Sequence, residues 1–313
     1  MDATYAKLMA KFGYGRCLYR PPSTTEMRPG SVGYWDSNAK WQPIAQLDDS
    51  EDLKAKGFKP PQEELLANDS TLDEGWSPLY SSSVTESDIT AEVMARLPEG
   101  AATGKAFYKY QGSENAGAVL ITVKPISSRS FLHESPFSRW VYDNIDALMA
   151  SPRGEDIKRH GLAIIRDTYS TKKCLLNVWE SGSRAFSVGL TVDAHGVLNL
   201  GVGGGWSDAA DAGGCREFSP KNPEDDEVVV CASGLIFKIR RLFGINMLSD
   251  PAPLRSANTE GSLVETRQIK SKEREDLVFE LEREVFGNPP PTPVEEACAS
   301  SDWEDDEDSI VAT

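Results

Sequence analysis

Two hydrophobic periods run through the chain. From Ser183 onward, Phe186, Val188, Leu190 and Val192 alternate with Ser187, Gly189, Thr191 and Asp193, the period of a strand with two unlike faces. The same period recurs in Lys105–Tyr110, in Val119–Lys124 and in 228–242, where Leu235, Phe237 and Ile239 oppose Ile236, Lys238 and Arg240. The turn-forming QGSENAG between the first two of these predicts a hairpin. Residues 162–169 and 174–179 are almost continuously apolar, as strands covered on both faces are. The 174–179 run is expected to turn back through Glu180-Ser181-Gly182 into 184–193, and a further strand is expected at Val197–Val202. Shorter strands are expected at Arg16–Tyr19 and Ser31–Trp35.

Helical spacing appears in fewer places. Tyr5, Leu8, Met9 and Phe12 share one stripe of residues 2–12, with Lys7 and Lys11 on another face and glycines at 13 and 15 as the stop. Ser135-Pro136 supplies an N-cap and a first-turn proline for a helix whose buried stripe is Val141, Ile145, Leu148 and Met149. A second piece around 153–160 ends at Gly161. Residues 46–85 read as polar loop with a short helix at 61–67. Residues 88–97 alternate as a strand would, but their Ala, Glu, Met, Arg and Leu content favours helix. Ser271–Phe286 reads as a helix with Leu277, Val278, Leu281 and Val285 on one stripe and Gly287-Asn288-Pro289 as its stop. Antiparallel strands interleaved with a few helices predict an α+β fold, a twisted central antiparallel sheet with surrounding helices and a short helical C-terminal tail, and not a doubly wound sheet.

Charge divides the chain. Residues 256–313 carry five Lys and Arg against sixteen Asp and Glu, so net −11 of the formal −16 lies in the last fifth. An acidic tail attached to a more nearly neutral body is the reading this supports, and the overall acidity argues against nucleic-acid partners. Hydrophobic residues make up 39% and aromatics 9%, enough for a core. Five scattered cysteines without a CxxC pair read as reduced thiols of a cytosolic protein. No apolar run is long enough for a spanning helix, and MDATYAKLMAKFGYG lacks a secretory core.

Catalytic signatures are weak. GAATGKA at 100–106 is one residue short of a phosphate loop and lacks the hydroxyl residue after Lys105. GVGGGW at 201–206 does not open a helix. His133, His160 and His195 share no metal-ligand spacing, GxSxG is absent, and Cys174 sits in an apolar strand. The expectation is a protein that is not an enzyme and needs no cofactor or metal. An enzyme whose site has no local signature is the remaining alternative.

The order of these features resembles the gasdermin pore-forming domain. GLAIIRDTYSTKKCLLNVW at 161–179 is similar to that family's strand-turn-strand segment after a helix. TGKAFYKYQGSENAGAVLITVKPISSRSFL at 103–132 is similar to its first extension hairpin and the loop beyond. SGLIFKIRRL at 233–242 resembles the strand that closes the domain. Animal members of that family carry a large helical inhibitory domain; the short segment after the linker makes this chain look closer to the short fungal gasdermin-like proteins, which act in regulated cell death. The resemblance implies a pore-forming domain at 1–245, a linker at 246–262, an inhibitory helical tail at 263–288 and an acidic disordered end at 289–313. It implies a protein that is cytoplasmic until an activating protease removes the tail. The body would then bind anionic phospholipids (cardiolipin, phosphatidylserine or phosphoinositides) at the plasma membrane and assemble into a ring-shaped transmembrane β-barrel. Regions 83–126 and 162–206 would insert, and 88–97 would become β in the pore.

Elementary constraints fit parts of this. A barrel strand needs about 9–11 residues with alternating faces. Phe107, Tyr108, Val119, Ile121 and Val123 in the first region, and Phe186, Val188, Leu190 and Val192 in the second, supply the alternation. Residues 162–179 alternate poorly and suit a soluble core. Lys7, Lys11, Arg153, Lys158, Arg159, Lys238, Arg240 and Arg241 are the candidate lipid-binding cations, each contributing about 1 kcal/mol near an anionic surface. Leu277, Val278, Leu281 and Val285 would hold the tail down. Phe243, Arg255, Arg267 and Lys270 are candidate cleavage positions. The alternative from another class is a non-enzymatic α+β cytosolic binding or scaffold module, whose tail is merely the last packed element.

Overall fold

The structure, a computed structural model, describes residues 1–68, 70–92, 104–112, 116–180, 185–192, 215–222, 226–242, 254–257, 263–270 and 278–287. In order these form α1 (Asp2–Met9) with a 3₁₀ turn Ala10–Phe12, β1 (Arg16–Cys17), β2 (Ser31–Trp35), β3 (Trp41–Gln46), α2 (Ser50–Ala55), β4 (Thr71–Asp73), β5 (Leu79–Tyr80), β6 (Val84–Glu92), β7 (Gly104–Gly112), β8 (Gly117–Thr122) and β9 (Ile126–Ser130). Then come α3 (Ser135–Ala150), α4 (Gly154–His160), β10 (Leu162–Thr171), β11 (Cys174–Trp179), β12 (Ala185–Val192), β13 (Arg216–Phe218), β14 (Val228–Leu242), β15 (Leu254–Ala257), β16 (Leu263–Lys270) and β17 (Val278–Phe286). The fold is α+β, with a large antiparallel sheet and few helices.

That sheet runs β15-β16-β17-β14-β10-β2-β3, with β1 beside β14, β9 beside β10 and β4 beside β9. A second sheet has the order β13-β11-β8-β5 and a third β12-β7-β6. The central strand β14 has 15 residues because its apolar positions are served from both sides. Leu235, Phe237 and Ile239 point into one core with α3, α4 and α2, while Val228 and Val230 join a second core under α1.

Helix α3 forms where its stripe predicted, burying Phe137, Trp140, Val141, Ile145, Leu148 and Met149. Its first residue is Ser135; Glu134 occupies the N-cap without a capping bond, and its carboxylate is used elsewhere. Buried Asn144 is fully engaged: its amide donates to the carbonyls of Lys59 (3.1 Å) and Trp140 (2.9 Å), and its oxygen accepts the Lys59 N–H at 2.7 Å. Trp140 Nε1 donates to the same Lys59 carbonyl at 2.7 Å. These bonds fix an extended path that excludes the helix expected at 61–67. The Leu132 N–H takes the Leu66 carbonyl while the Asn68 N–H takes that of Ser130. Gly161, at φ 80°, ends α4 in a backbone region that suits glycine and turns the chain into β10.

Several other expectations change. Within 46–85, expected as loop, α2 forms, capped by Asp49 through the N–H groups of Glu51 and Asp52, and so do the short strands β4 and β5. The 88–97 segment is strand through Glu92, since β7 offers it a ladder that outweighs a helix propensity of tenths of a kcal/mol per residue. The Lys105–Tyr110 and Val119–Lys124 runs do not pair with each other: β7 lies between β6 and β12, and β8 between β5 and β11. Likewise β12 does not fold back on β11. Leu254–Ala257 is a strand inside the expected linker, and Val278–Phe286 is a strand where a helix was expected. The expected strand at 197–202 and the acidic end at 289–313 lie outside the described residues.

What replaces the two hairpins is one ribbon. Thr122 faces Cys174 and Gly117 faces Trp179 in the β8–β11 ladder; Gln111 faces Ala185 and Gly104 faces Val192 in β7–β12. The two residue numbers of every pair have the same sum, so both ladders share one register. Gly117 is required here, because a Cβ on it would lie 2.1 Å from the ring of Trp179 opposite.

Trp140 is 1% exposed, so Trp140→Ala is expected to cost about 3–5 kcal/mol. Leu72→Ala, at a site 65% exposed, should stay within about 0.5 kcal/mol. Urea midpoints of the two variants check this, and equal shifts would disprove the core assignment.

Candidate functional site: the edge of the central strand covered by the tail

One edge of β14 is paired with β10. The other is divided: β1 meets Cys231 and Ala232, and β17 covers Gly234 to Leu242 in nine consecutive pairs from Gly234↔Phe286 to Leu242↔Val278. The carboxyl-terminal segment therefore docks by completing a sheet.

Its two faces differ. Towards the core, Phe279 and Leu281 are each 1% exposed, and Val285 packs against the same cluster. On the other face, Phe286 packs with Leu18, Met27 and Trp41 and meets Trp35 edge-on at 5.3 Å. Between these anchors runs a charge ladder. Lys238 Nζ lies 3.4 Å from Glu282 and 3.5 Å from Glu284, and Arg240 lies 4.0 Å from Glu282. In register, Lys238 faces Glu282 and Arg240 faces Glu280. The lysine and arginine are about half exposed or more, so each pair contributes roughly 0–1 kcal/mol. Each deeply buried apolar anchor contributes about 1.5–3 kcal/mol.

A more enclosed polar group fastens the strand from the core side. Arg283 of β17 reaches Glu134 at 2.6 Å, and Glu134 also takes Arg166 of β10 at 2.5 Å. Arg166 in turn binds Asp167 at 2.7 Å, and Asp167 accepts the hydroxyl of Ser233 on β14. Burial pulls the Arg166 guanidinium down, but the hydrogen bonds and charges of Asp167 and Glu134 outweigh it and hold it above its ordinary value. One carboxylate thus joins the tail to the body. On β16, Arg267 lies over the Tyr142 ring of α3 at 4.8 Å.

The expected cations divide into two groups. Lys7 and Lys11 are exposed on α1 and its 3₁₀ extension, above the second core; Lys11 lies 4.9 Å from the Phe12 ring centre and 5.6 Å from that of Tyr80. Arg153, Lys158 and Arg159 belong to α4, on the first core. Arg153 donates to the Tyr34 hydroxyl at 3.1 Å, Lys158 pairs with Glu155, and Arg159 is exposed. Helix α4 ends against β14, where a side chain at Gly161 would lie 3.9 Å from Lys238 Cγ. Lys238 therefore adjoins the end of α4, whereas α1 packs on β1 and β8. The backbone of Arg241 faces Phe279.

Val119, Ile121 and Val123 are all buried, at 1%, 1% and 6% exposure. Phe107, Tyr108, Phe186, Val188, Leu190 and Val192 hold ladder positions in β7 and β12, with Val188 facing Tyr108 and Phe186 facing Tyr110. In the tail, Leu281 is buried, Val278 and Val285 are partly buried, and Leu277 lies outside the described residues. Phe279, Phe286, Glu134 and Arg283 were missed. The alternation of Phe279, Leu281 and Val285 against Glu280, Glu282 and Glu284 was the available signal, hidden by residues that also favour helix. Of the cleavage candidates, Arg255 faces Glu265 and Arg267 faces Leu281 within ladders. Arg267 lies in a strand paired on both sides, a poor state for a protease cleft, whereas β15, which carries Arg255, is paired with β16 alone among the described residues. Lys270 is the exposed last residue of β16, and Phe243 lies outside the described residues.

Cys174 is buried in the second core, where desolvation pushes its thiol up. The described residues hold no cluster of three potential metal ligands, and no described helix is long and apolar enough to cross a membrane. No protein-family model matches the chain, and no curated protein compared with it is similar in sequence.

If the apolar anchors hold the tail, Phe279→Ala and Leu281→Ala will each speed hydrogen exchange over 278–286 by roughly 30- to 1,000-fold. Lys238→Ala will change it by no more than about fivefold. A larger effect from the lysine would show that charge, not burial, fastens the strand.

Proposed function

We propose that the chain is an autoinhibited pore-forming protein of the gasdermin type. In this reading the segment after β14 is a removable edge strand, and its loss frees the body to bind anionic lipid, assemble into a ring and insert a β-barrel that lyses the cell. The observation that carries it is the common register of β7–β12 and β8–β11. The two regions expected to insert are already each other's partners. Strands β6, β7 and β12 have 9, 9 and 8 residues and share no ladder with the large sheet. These lengths approach the roughly 9–11 residues of a barrel strand. Such a sheet can change its surroundings without dismantling the core around α3. Within a membrane it must close on neighbouring copies, because lipid offers backbone groups no partner.

The tail supports the same reading. It pairs its carboxylates with Lys238 and Arg240, two of the cations expected to meet lipid. Tethering holds it at an effective concentration of about mM. After a cut between β14 and β17 it would dilute to about μM, a change of roughly 4 kcal/mol. The inhibitory element is then a strand that competes with lipid for charge and with other chains for an open sheet edge.

A chain truncated near residue 250 should release dye from phosphatidylserine or cardiolipin vesicles at micromolar protein. The full chain and neutral vesicles should give little release. A truncated chain that is folded and monomeric yet leaves anionic vesicles intact would overturn the reading in favour of a binding module without membrane activity.

A further inference from the structure

Two cysteines far apart in sequence occupy one rung of the large sheet. Cys17 of β1 faces Cys231 of β14, with their sulfurs 2.6 Å apart and both side chains buried as free thiols. The rung is of a particular kind. The next pair along, Leu18 and Val230, is a hydrogen-bonded one, since the Leu18 N–H donates to the Val230 carbonyl at 2.9 Å. Antiparallel ladders alternate, so Cys17 and Cys231 form a non-hydrogen-bonded pair. There, opposed Cα atoms lie about 4.5 Å apart and side chains approach most closely. That separation is within the 4.4–6.8 Å that a disulfide spans. Gly15 keeps β1 close in, because a Cβ there would lie 2.3 Å from the carbonyl oxygen of Ala232.

From this geometry we propose that Cys17 and Cys231 are an oxidation site, a thiol pair that a peroxide converts into a cross-strand disulfide tying the amino-terminal helix to the central strand. In the first step one sulfur attacks hydrogen peroxide. The O–O bond breaks, water leaves, and the cysteine becomes a sulfenic acid. The second sulfur then attacks the first, the S–O bond breaks, and a second water leaves. Two thiols and one peroxide give one disulfide and two waters, the sulfurs being oxidised and the peroxide reduced. Both side chains are buried, so a small uncharged peroxide can reach the sulfurs where bulky electrophiles cannot, and because desolvation also pushes the Cys231 thiol up, the attack on the peroxide is slow.

The bond would act at a junction. Strand β1 and Leu18 after it meet β14 over a short stretch, immediately before the part covered by the tail. The end of the tail touches it: a Cβ on Gly287 would lie 2.4 Å from Gly15 Cα. Tyr5 and Met9 of α1 share the core of the two cysteines. Oxidation would therefore lock α1, β1 and β14 into one unit, closing a loop that contains every strand from β2 to β13. The inference does not depend on pore formation.

The test uses the intact full-length protein, treated with a small molar excess of hydrogen peroxide, unfolded in alkylating agent and digested without reduction. The expected product is a peptide joining Cys17 to Cys231, with Cys174, Cys215 and Cys298 alkylated. Its formation should raise the thermal midpoint by roughly 5–10 °C, and a reductant should reverse the rise. Cys17→Ser should lose both the linked peptide and the rise; because the wild-type peptide map is decisive alone, a poorly folded variant leaves the test intact. Cys17 and Cys231 both recovered alkylated, or either joined to another cysteine, would overturn the proposal.

Discussion

The backbone of β14 needs a hydrogen-bonded neighbour on both edges, and this requirement organises the molecule. Its Leu235, Phe237 and Ile239 are buried in the core, and an edge left open would present a row of unpaired N–H and C=O groups. Strand β10 satisfies one edge. It approaches so closely that a Cβ at Gly234 would lie 2.1 Å from the Ile164 carbonyl oxygen. The second edge has no single partner and is shared between β1 and β17, which come from near the two ends of the chain. Anything that displaces either one exposes a ready template for another strand.

Charge refines that contact without supplying most of its strength. The tail places Glu280, Glu282 and Glu284 on the face that carries Lys238 and Arg240, and puts Phe279 and Leu281 beneath. Opposed cross-strand charges favour this register over a one-residue slip, which would bring the glutamates into the core. The Glu134 carboxylate adds a second registration point by taking Arg166 and Arg283 together. The register of the tail is thus fixed at two points, by the charge ladder and by the shared carboxylate.

The ribbon of β7, β8, β11 and β12 is the counterpart of this edge. Its body end is buried on both faces, as the six fully covered residues of β8 and of β11 require. Its far end pairs in the same register with β6 alongside. A ladder anchored at one end can be extended or re-covered at the other while the anchor stays packed, the property on which the proposed insertion would rely.

The chain's local patterns determined the strands at 31–35, 162–171, 174–179, 185–192 and 228–242 and the helices at 2–9, 135–150 and 154–160, because periodicity, glycine stops and the proline at 136 act within a few residues. The cationic positions and the acidity of the last fifth were equally plain. Which strands pair was decided only in three dimensions. Lys105–Tyr110 and Val119–Lys124 have hairpin chemistry between them, yet the first pairs with residues as distant as Thr191 and the second with residues as distant as Asn177. Residues 278–286 favour helix by composition, and the free edge of β14 made them a strand. Pairing depends on which edges remain unsatisfied once the core has formed. That is a property of the assembled sheet, and no window of the sequence contains it.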